Sequence, residues 1–524
     1  MPTRNLPTAH RPPLRQKTAL LGLVSATAVL AGCNLAPKYQ RPAAPVPETW
    51  PQGAAYPAAQ PAQTPAADVA WRDFFVDPKM RAVIDLALRD NRNLRVAVLN
   101  IQAARAQYHI QRAALFPQLD GGANGLYEHT PFGFGSVSTT PGSAAGGGTS
   151  GTSGAAGAAS SAVGGAGGAL GASAGTASTG SQFVRLYTVD AGVSNYELDL
   201  WGRVRNLTKA SLEQYLATEE AQRATRISLI SEVAVDYVTL AADLDELNLA
   251  KATLDSDQKS YDLTKAKFDY GEASELDVRQ AQTALEQARA QIATYTTQVA
   301  QDRNALNLVV GAAVPGDMLP TGLDDTLPTM ADIPAGLSSD VLLRRPDVLQ
   351  AEHVLKANNA DIGAARAAFF PTVTMTAAGG TTSLTMTNLF SSGSGTWTIS
   401  PSLTLPIFDA GKNKASLKYA KVEQKVAAAQ YESAIQTAFR EVSDALAQRG
   451  TIAELISARE GNVEAAGASL HLSTARYQRG TDPYLNTLTA ELTLYSAQQG
   501  LIQARQTRAA NLITLYRTLG GGVN

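Results

Sequence analysis

Hydrophobic residues recur every seven positions along two stretches of the chain that a short polar segment separates. From residue 203 to residue 270 the sequence contains neither glycine nor proline. From Val233 onward one heptad position of this stretch is apolar: Val233, Leu240, Leu247, Leu254, Tyr261 and Phe268. After Gly271 a new apolar register begins, at Val278, Leu285, Ile292, Val299 and Leu306. A strict seven-residue period is typical of a left-handed coiled-coil seam, so the pattern predicts an antiparallel helical hairpin.

The whole pattern then occurs a second time. Residues 411–520 match residues 202–311 at a constant offset, since 411 − 202 = 209. The match places Tyr477 on Phe268 and Gly480 on Gly271, so both hairpins have the same polar break. A helical pattern at 340–369 likewise parallels one at 86–115. The sequence therefore predicts two structural repeats of helix, strand, strand and long helical hairpin.

Each repeat has two segments in which apolar and polar residues alternate, as in a strand with one buried face. In the first repeat the apolar face of the second segment is Tyr187, Val189, Ala191 and Val193. In the second repeat the corresponding face is Trp397, Ile399, Leu403, Leu405 and Ile407. Strands of about 9–11 residues span a bilayer. Four such strands cannot close a barrel, however, and open sheet edges are not tolerated in lipid.

Oligomerisation would remove the open edges. Three chains would supply twelve strands, an even number within the range of outer-membrane barrels. We therefore predict an α+β membrane protein. It forms a trimeric outer-membrane β-barrel, with four strands per chain and twelve in total, which a long periplasmic α-helical barrel continues. The residues leave one alternative open, a soluble coiled-coil protein with incidental β-hairpins.

The first residues have the features of an export signal. A basic region ends at Lys17, and an apolar run too short for a membrane helix follows it. The run ends in Leu30-Ala31-Gly32-Cys33, which looks like a bacterial lipobox, and Cys33 is the only cysteine of the sequence. We expect a signal peptide at 1–32 and a covalent lipid on Cys33. The alternative is an ordinary signal peptide with an unrelated cysteine.

Composition divides the remaining chain. Residues 33–78 are rich in proline and alanine and predict a lipidated extended tether. Residues 130–182 are almost entirely Gly, Ala, Ser and Thr, which predicts a flexible loop inside the first repeat. The predicted domains are then repeat 1 at 79–311, a linker at 312–339, repeat 2 at 340–520 and a tail at 521–524.

Charge and side-chain chemistry argue against several functions. The formal charge is −2, and a mildly acidic chain without a basic patch does not suit nucleic acid. The five histidines are scattered and have no metal-ligand spacing. A hydrolase-like pattern around Ser173 and a GxGxxG match at Gly146, Gly148 and Gly151 lie in the Gly-rich loop, where composition alone produces them. We expect no catalytic residues, no metal and no cofactor other than the lipid on Cys33.

Several separate segments resemble one protein family. YELDLWGRVR at 196–205, LLRRPDVLQAEHVL at 342–355, DIGAARAAFFPTV at 361–373 and LTLPIFDAGKNKA at 403–415 look like the signatures of TolC-like outer-membrane efflux proteins. With the lipobox, the chain resembles the NodT-type lipoproteins that serve resistance-nodulation-division pumps. The resemblance implies a homotrimer in the bacterial outer membrane that acts as a passive exit duct for drugs or other small molecules. It also implies a periplasmic adaptor protein and an inner-membrane pump as partners.

Three other functions remain open at this stage. The fold also serves ducts for type I protein secretion. A lipidated periplasmic coiled coil without a pore would have the same helical pattern. A hydrolase that uses Ser173 is the third alternative, and only the pattern in the Gly-rich loop suggests it.

The resemblance also implies a function for the polar breaks. In the family, the break of the second hairpin carries the channel constriction, often with a ring of aspartates. Here Leu485 keeps an apolar position, Asn486 fills a position that is acidic in some members, and Thr489 stands where the family has aspartate. We expect Leu485 to form a steric plug at a periplasmic gate that Asn486 and Thr489 latch with hydrogen bonds. The acids at the two breaks would favour cations at the mouth: Glu272, Glu275, Asp277 and Asp482.

Overall fold

A computed structural model describes residues 34–56, 70–130, 182–323 and 339–521, and it describes no side chains at 128–130 and 182–184. The expected signal peptide, Cys33, residues 131–181 of the Gly-rich loop, Ser173 and residues 522–524 lie outside the described residues. The described chain forms two compact units. The strand unit comprises 34–37 and the described parts of 109–208 and 360–420. The helical unit comprises the remaining described residues.

The strand unit contains one antiparallel sheet of four strands in the order β1-β2-β3-β4. The strands are β1 (Leu119–Thr130), β2 (Gln182–Leu198), β3 (Thr372–Ser383) and β4 (Gly395–Thr404). Within the described residues, β1 and β4 each pair on one side only. β4 ends at Thr404, so Leu405 and Ile407, which we expected on its apolar face, lie beyond the strand.

The register separates the two faces of this sheet. Directly paired residues lie on the same face, and one row across the sheet is Leu119, Val193, Ala377 and Ile399. The neighbouring row on the other face is Asp120, Gly192, Ala378 and Thr398. Ile399 is 61% exposed and Trp397 is 78% exposed. The sheet therefore presents an exposed apolar face and a more polar opposite face.

Aromatic side chains join the strands to the helix ends within this unit. The Trp201 indole N–H donates to the Pro371 carbonyl at 2.9 Å, and its ring stacks on Phe370 at 4.6 Å. The Tyr196 hydroxyl donates to the Leu115 carbonyl at 2.9 Å. In both repeats the proline of the Phe-Pro pair follows the last turn of a helix, as expected of a residue that cannot continue one.

The first long helix has the bounds that the absence of glycine and proline suggests, and the second repeat has a helix of the same length although it contains glycines. The first hairpin consists of α4 (Arg203–Asp269) and α5 (Glu275–Val310), and the second of α7 (Lys412–Gln478) and α8 (Tyr484–Thr518). The two longer members have 67 residues each, a length of about 100 Å. The shorter helices are α1 (Trp71–Phe74), α2 (Pro78–Asp90), α3 (Arg92–Ala113) and α6 (Pro346–Ala367).

The helical pattern that we expected at 86–115 is divided between two helices, α2 and α3. Asn91 lies between them in an extended conformation. Its side chain accepts from the Leu94 N–H at 2.7 Å and donates to the Val309 carbonyl at 2.6 Å. A cap and a long-range hydrogen bond therefore separate the two helices at asparagine, a residue that is favoured at a helix N-cap.

The segment that we expected to be an extended tether is packed against the helical unit where it is described. Trp50 stacks on Phe439 with ring centroids 5.0 Å apart. Arg41 and Tyr39 both donate to the buried carboxylate of Glu352. Further along, Trp71, Phe74 and Phe75 are buried in the main core. The prediction missed this packing because the partners lie hundreds of residues away in the sequence.

Among the described residues, no helix is both long enough and apolar enough to cross a bilayer.

Candidate functional site

The two hairpin turns are built alike. We call residues 270–274 the first turn and residues 479–483 the second turn. Gly271 and Gly480 have φ values of 79° and 70°, and a residue with a Cβ adopts such values only with strain. The N–H of Glu272 donates to the Lys267 carbonyl at 2.7 Å, and that of Thr481 donates to the Arg476 carbonyl at 3.0 Å. Both longer helices thus end in the glycine-capped arrangement that satisfies the last carbonyls.

Contacts beside the turns join the first hairpin to the second. The hydroxyl groups of Thr264 and Tyr477 are hydrogen-bonded at 3.1 Å, and both residues are buried. Lys267 Nζ donates to the Tyr477 carbonyl at 3.0 Å and lies 4.2 Å from the centre of its ring. Tyr477 and Tyr484 form an edge-on aromatic pair with Ala281 beside them. The ends of all four hairpin helices therefore meet in one small cluster.

The predicted gate residues lie at the start of α8. The Leu485 side chain is 51% exposed, so in a single chain it is available to contact another chain. The Thr489 hydroxyl donates to the Leu485 carbonyl at 2.8 Å, within its own helix. The Asn486 amide lies 3.5 Å from a carboxylate oxygen of Asp482, at the limit of a hydrogen bond. Thr489 therefore uses its only donor on its own backbone, and this geometry does not favour the latch that we expected from it.

Three of the four predicted turn acids have partners. Asp277 forms a capping box with Ser274 at the start of α5. Glu275 lies 3.2 Å from Arg279, and Asp482 lies 2.8 Å from Arg476. The hydrogen bond from Arg476 holds the pKa of Asp482 below its ordinary value. Glu272 is exposed, and its carboxylate is the turn acid best placed to attract cations.

The sequence analysis missed a buried pair of acids close to the second turn. Asp257 of α4 and Glu491 of α8 are 4% and 7% exposed, and their carboxyl groups are in contact. We call them the acid pair. Asp257 lies three positions after Leu254, on the second seam of the heptad pattern. That seam is unusually polar, with Asp236, Asp243, Ala250, Asp257 and Thr264 at seven-residue intervals. A search for charge at both seam positions would have found Asp257, but not its contact with Glu491.

In the part of the chain that the structure describes, no group of three or more His, Cys, Asp or Glu residues is arranged to hold a metal ion.

Comparison with known proteins agrees with the strand and hairpin architecture. The family model described as outer membrane efflux protein matches residues 83–312 and 337–521. The chain belongs to this family, whose named members are transport channels, and fold and family together define an outer-membrane efflux channel.

Two curated relatives illustrate the similarity. The chain is 44% identical over 505 residues to the probable efflux pump outer membrane protein TtgC of Pseudomonas putida, covering 96% of each protein. It is 38% identical over 493 residues to the outer membrane protein OprJ of Pseudomonas aeruginosa, covering 94% of each.

Solved structures show the same fold. The open state of the MtrE outer membrane channel of Neisseria gonorrhoeae has a TM-score of 0.78 and 35% identity, and the match covers 94% of this chain and 99% of that one. A membrane protein from Pseudomonas aeruginosa has a TM-score of 0.80 and 37% identity, with coverage of 94% and 98%.

Proposed function

We propose that this protein is the outer-membrane component of a tripartite efflux system, a passive exit duct for drugs or other small molecules. The observation that carries the proposal is the match over 96% of both chains to an efflux pump outer membrane protein. The chain's own chemistry supports a conduit, since the described turns and seams hold paired and buried polar groups rather than a reactive cluster. We propose no enzymatic activity and no soluble cofactor.

The proposed working form is a homotrimer. In the described chain, β1 and β4 each have one unpaired edge, and such edges need partners in lipid. Pairing β4 of one chain with β1 of the next would close a ring of twelve strands from three chains. The exposed apolar face with Trp397 and Ile399 suits lipid, and the polar face suits a water-filled lumen. The helical hairpins would continue this ring as a periplasmic helical barrel.

The proposed location is the bacterial outer membrane, with a lipid anchor on Cys33. The support is the Leu-Ala-Gly-Cys segment after a short apolar run. Labelled palmitate should enter the wild-type protein and not Cys33→Ser. Incorporation of label into the variant would contradict the anchor without affecting the channel proposal.

The proposed partners are a periplasmic adaptor protein and an inner-membrane resistance-nodulation-division pump. The names of relatives such as TtgC support this, because they describe those proteins as outer membrane components of efflux pumps. The two turns are the proposed docking region for the adaptor.

Two experiments test the channel and its cargo. The purified protein in planar bilayers should show ion conductance, whereas a coiled coil without a pore would show none. A deletion strain should accumulate efflux dyes and become more sensitive to their toxic relatives, and the wild-type gene should restore both. A strain that keeps its efflux but loses a secreted protein would favour type I secretion instead. Ser173→Ala serves as a matched control and should complement fully.

A further inference from the structure

The acid pair lines a cavity among α4, α5 and α8 of the helical unit. The cavity has a volume of about 60 Å³, enough for a few water molecules. Ser256 Oγ donates to Glu491 Oε1 at 2.8 Å. The second carboxylate oxygen, Glu491 Oε2, is buried and accepts no hydrogen bond. A buried carboxylate oxygen without a donor is unfavourable, so a positive charge or a proton at this position would stabilise the site.

No cationic side chain in the described chain lines this cavity. From α4 it is lined by Ala250, Thr253 and Asp257, and from α5 by Ala284, Gln287, Ala288 and Gln291. From α8 it is lined by Leu488, Glu491, Leu492 and Tyr495. Burial raises the pKa of Tyr495 to about 12, and it raises the pKa of the nearby Tyr484 as well, so both phenols are neutral at physiological pH. The two carboxyl groups therefore face only neutral groups and each other.

Two carboxylates in contact and out of water cannot both remain ionised without a large energetic cost. We propose that the acid pair is a binding site for one proton, shared between Asp257 and Glu491, which holds the start of α8 against α4. A protonated Asp257 donates the hydrogen bond that Glu491 Oε2 lacks. No electron transfer or co-reactant is involved, since the proton comes from water and returns to it.

The electrostatics of Asp257 set the pH range in which the proton would be lost. Burial raises the pKa of Asp257 from 3.8 to about 7, with further contributions from the charge of Glu491 and from the hydrogen bond that protonated Asp257 donates to it. A raised carboxyl pKa stabilises the packed state at low pH, and this stabilisation is lost as the pH rises through about 7. Above this range both groups are charged and repel, so α8 is released from α4.

This release matters because Glu491 lies two residues after Thr489 on the helix that begins with the predicted plug. The consequence for conduction rests on the proposed channel function. If the open state separates the pair and restores an ordinary pKa near 3.8, the ratio of open to closed channels should rise about tenfold between pH 6 and pH 8. A duct regulated in this way would open more readily in alkaline surroundings.

The test uses the full-length lipidated protein and the variants Glu491→Gln and Asp257→Asn. Each variant keeps the side-chain shape and removes one charge, and an amide donates to the remaining carboxylate. Asp255→Asn is the matched control, because Asp255 lies on the same helix, exposed and paired with Lys259. Thermal melting is recorded at pH 6 and pH 8, and open probability is recorded in bilayers at the same pH values.

The melting temperature of the wild type and of the control should fall by about 2 °C more than that of the two variants as the pH rises. The open probability of the wild type and of the control should rise about tenfold, that of Asp257→Asn should stay constant, and that of Glu491→Gln should rise less than that of the wild type, because burial of Asp257 alone remains. The same pH dependence in wild type and both variants would overturn the proposal. A midpoint that 5 mM Ca²⁺ shifts would also overturn it, because the cavity would then bind a metal ion. Thermal melting measures the stabilisation by the proton even if the protein shows no conductance. A failure of the channel proposal is therefore distinguishable from a failure of the proton-site proposal.

Discussion

Arg345 illustrates how a single side chain ties distant segments together. It is 7% exposed and donates to Asp347, to Glu441 at 2.9 Å and to the Thr518 carbonyl at 2.7 Å. The sequence alone does not distinguish Arg345 from its neighbour Arg344. The structure distinguishes them, because Arg344 is exposed.

Removing this guanidinium should be costly. Arg345→Ala leaves two carboxylates and a buried carbonyl without their donor, and it should lower the free energy of unfolding by about 3 kcal/mol. Denaturant unfolding followed by tryptophan fluorescence measures the change. Arg344→Ala is the control, with an expected effect below about 0.5 kcal/mol. Equal effects of the two variants would show that the Arg345 network contributes nothing specific.

Leu485 is the residue at which the plug hypothesis is most directly tested. Leu485→Ser removes an exposed apolar side chain at the start of α8 and should raise resting conductance, because a polar side chain no longer excludes water from the closed mouth. The same variant should make cells more sensitive to vancomycin. Leu472→Ser, on α7 and 63% exposed, is the control and should leave resting conductance unchanged. Wild-type conductance in Leu485→Ser would place the constriction elsewhere.

Thr489 tests whether charge at the mouth selects ions. Its hydroxyl now donates to the Leu485 carbonyl and carries no charge. Thr489→Asp should increase cation selectivity and allow divalent ions to block conductance, since three chains would bring three carboxylates together. Reversal potentials in a salt gradient, with and without Mg²⁺, give the readout. Thr493→Asp one turn later is the control, and equal behaviour of the two variants would argue against a ring at Thr489.

At the scale of elements, the seam of α4 combines apolar packing with buried acids. Asp243 lies beside Asp302 and can donate a hydrogen bond to it when protonated, and Asp302 Oδ2 is buried without a hydrogen-bond partner among the described residues. Burial raises the pKa of Asp243 to about 7, and Asp302 contributes through the hydrogen bond and its charge. The protonated form therefore stabilises the hairpin, and this contribution is lost as the pH rises through about 7.

Asp243→Asn should remove the loss of stability that the wild type shows at high pH. At pH 8 the variant should be about 1–2 kcal/mol more stable than the wild type, a figure reduced for the partial exposure of the site. At pH 5 the difference should be smaller, because the folded wild type is then protonated, and it should vanish only below about pH 3.8, where unfolded Asp243 is protonated as well. Denaturant unfolding at the two pH values tests this. A variant less stable at pH 8 would mean that Asp243 is ionised in the folded hairpin.

The sequence predicted those elements whose signals are local. Gly271 and Gly480 end the longer helices α4 and α7, since few other residues adopt the left-handed cap. The apolar heptads define the helices on either side of each glycine. Alternation likewise located the strands. The break at Asn91 was not predicted because the side chain of Asn91 bonds to the distant Val309. The packing of Trp50 was not predicted because its partner, Phe439, is also distant in the sequence. The acid pair joins residues 257 and 491, and one-dimensional patterns carry no signal for such a contact.

At the scale of the whole molecule, the unpaired edges of β1 and β4 mean that the proposed ring depends equally on each of its members. A chain with a faulty β4 could still enter an assembly through its helical hairpins, but it would leave one seam of the ring unpaired. The defect would then be genetically dominant. Producing Thr398→Pro beside the wild-type protein should lower the drug resistance of the cell, whereas Cys33→Ser in the same arrangement should not. A recessive Thr398→Pro would indicate that chains are sorted before the ring closes.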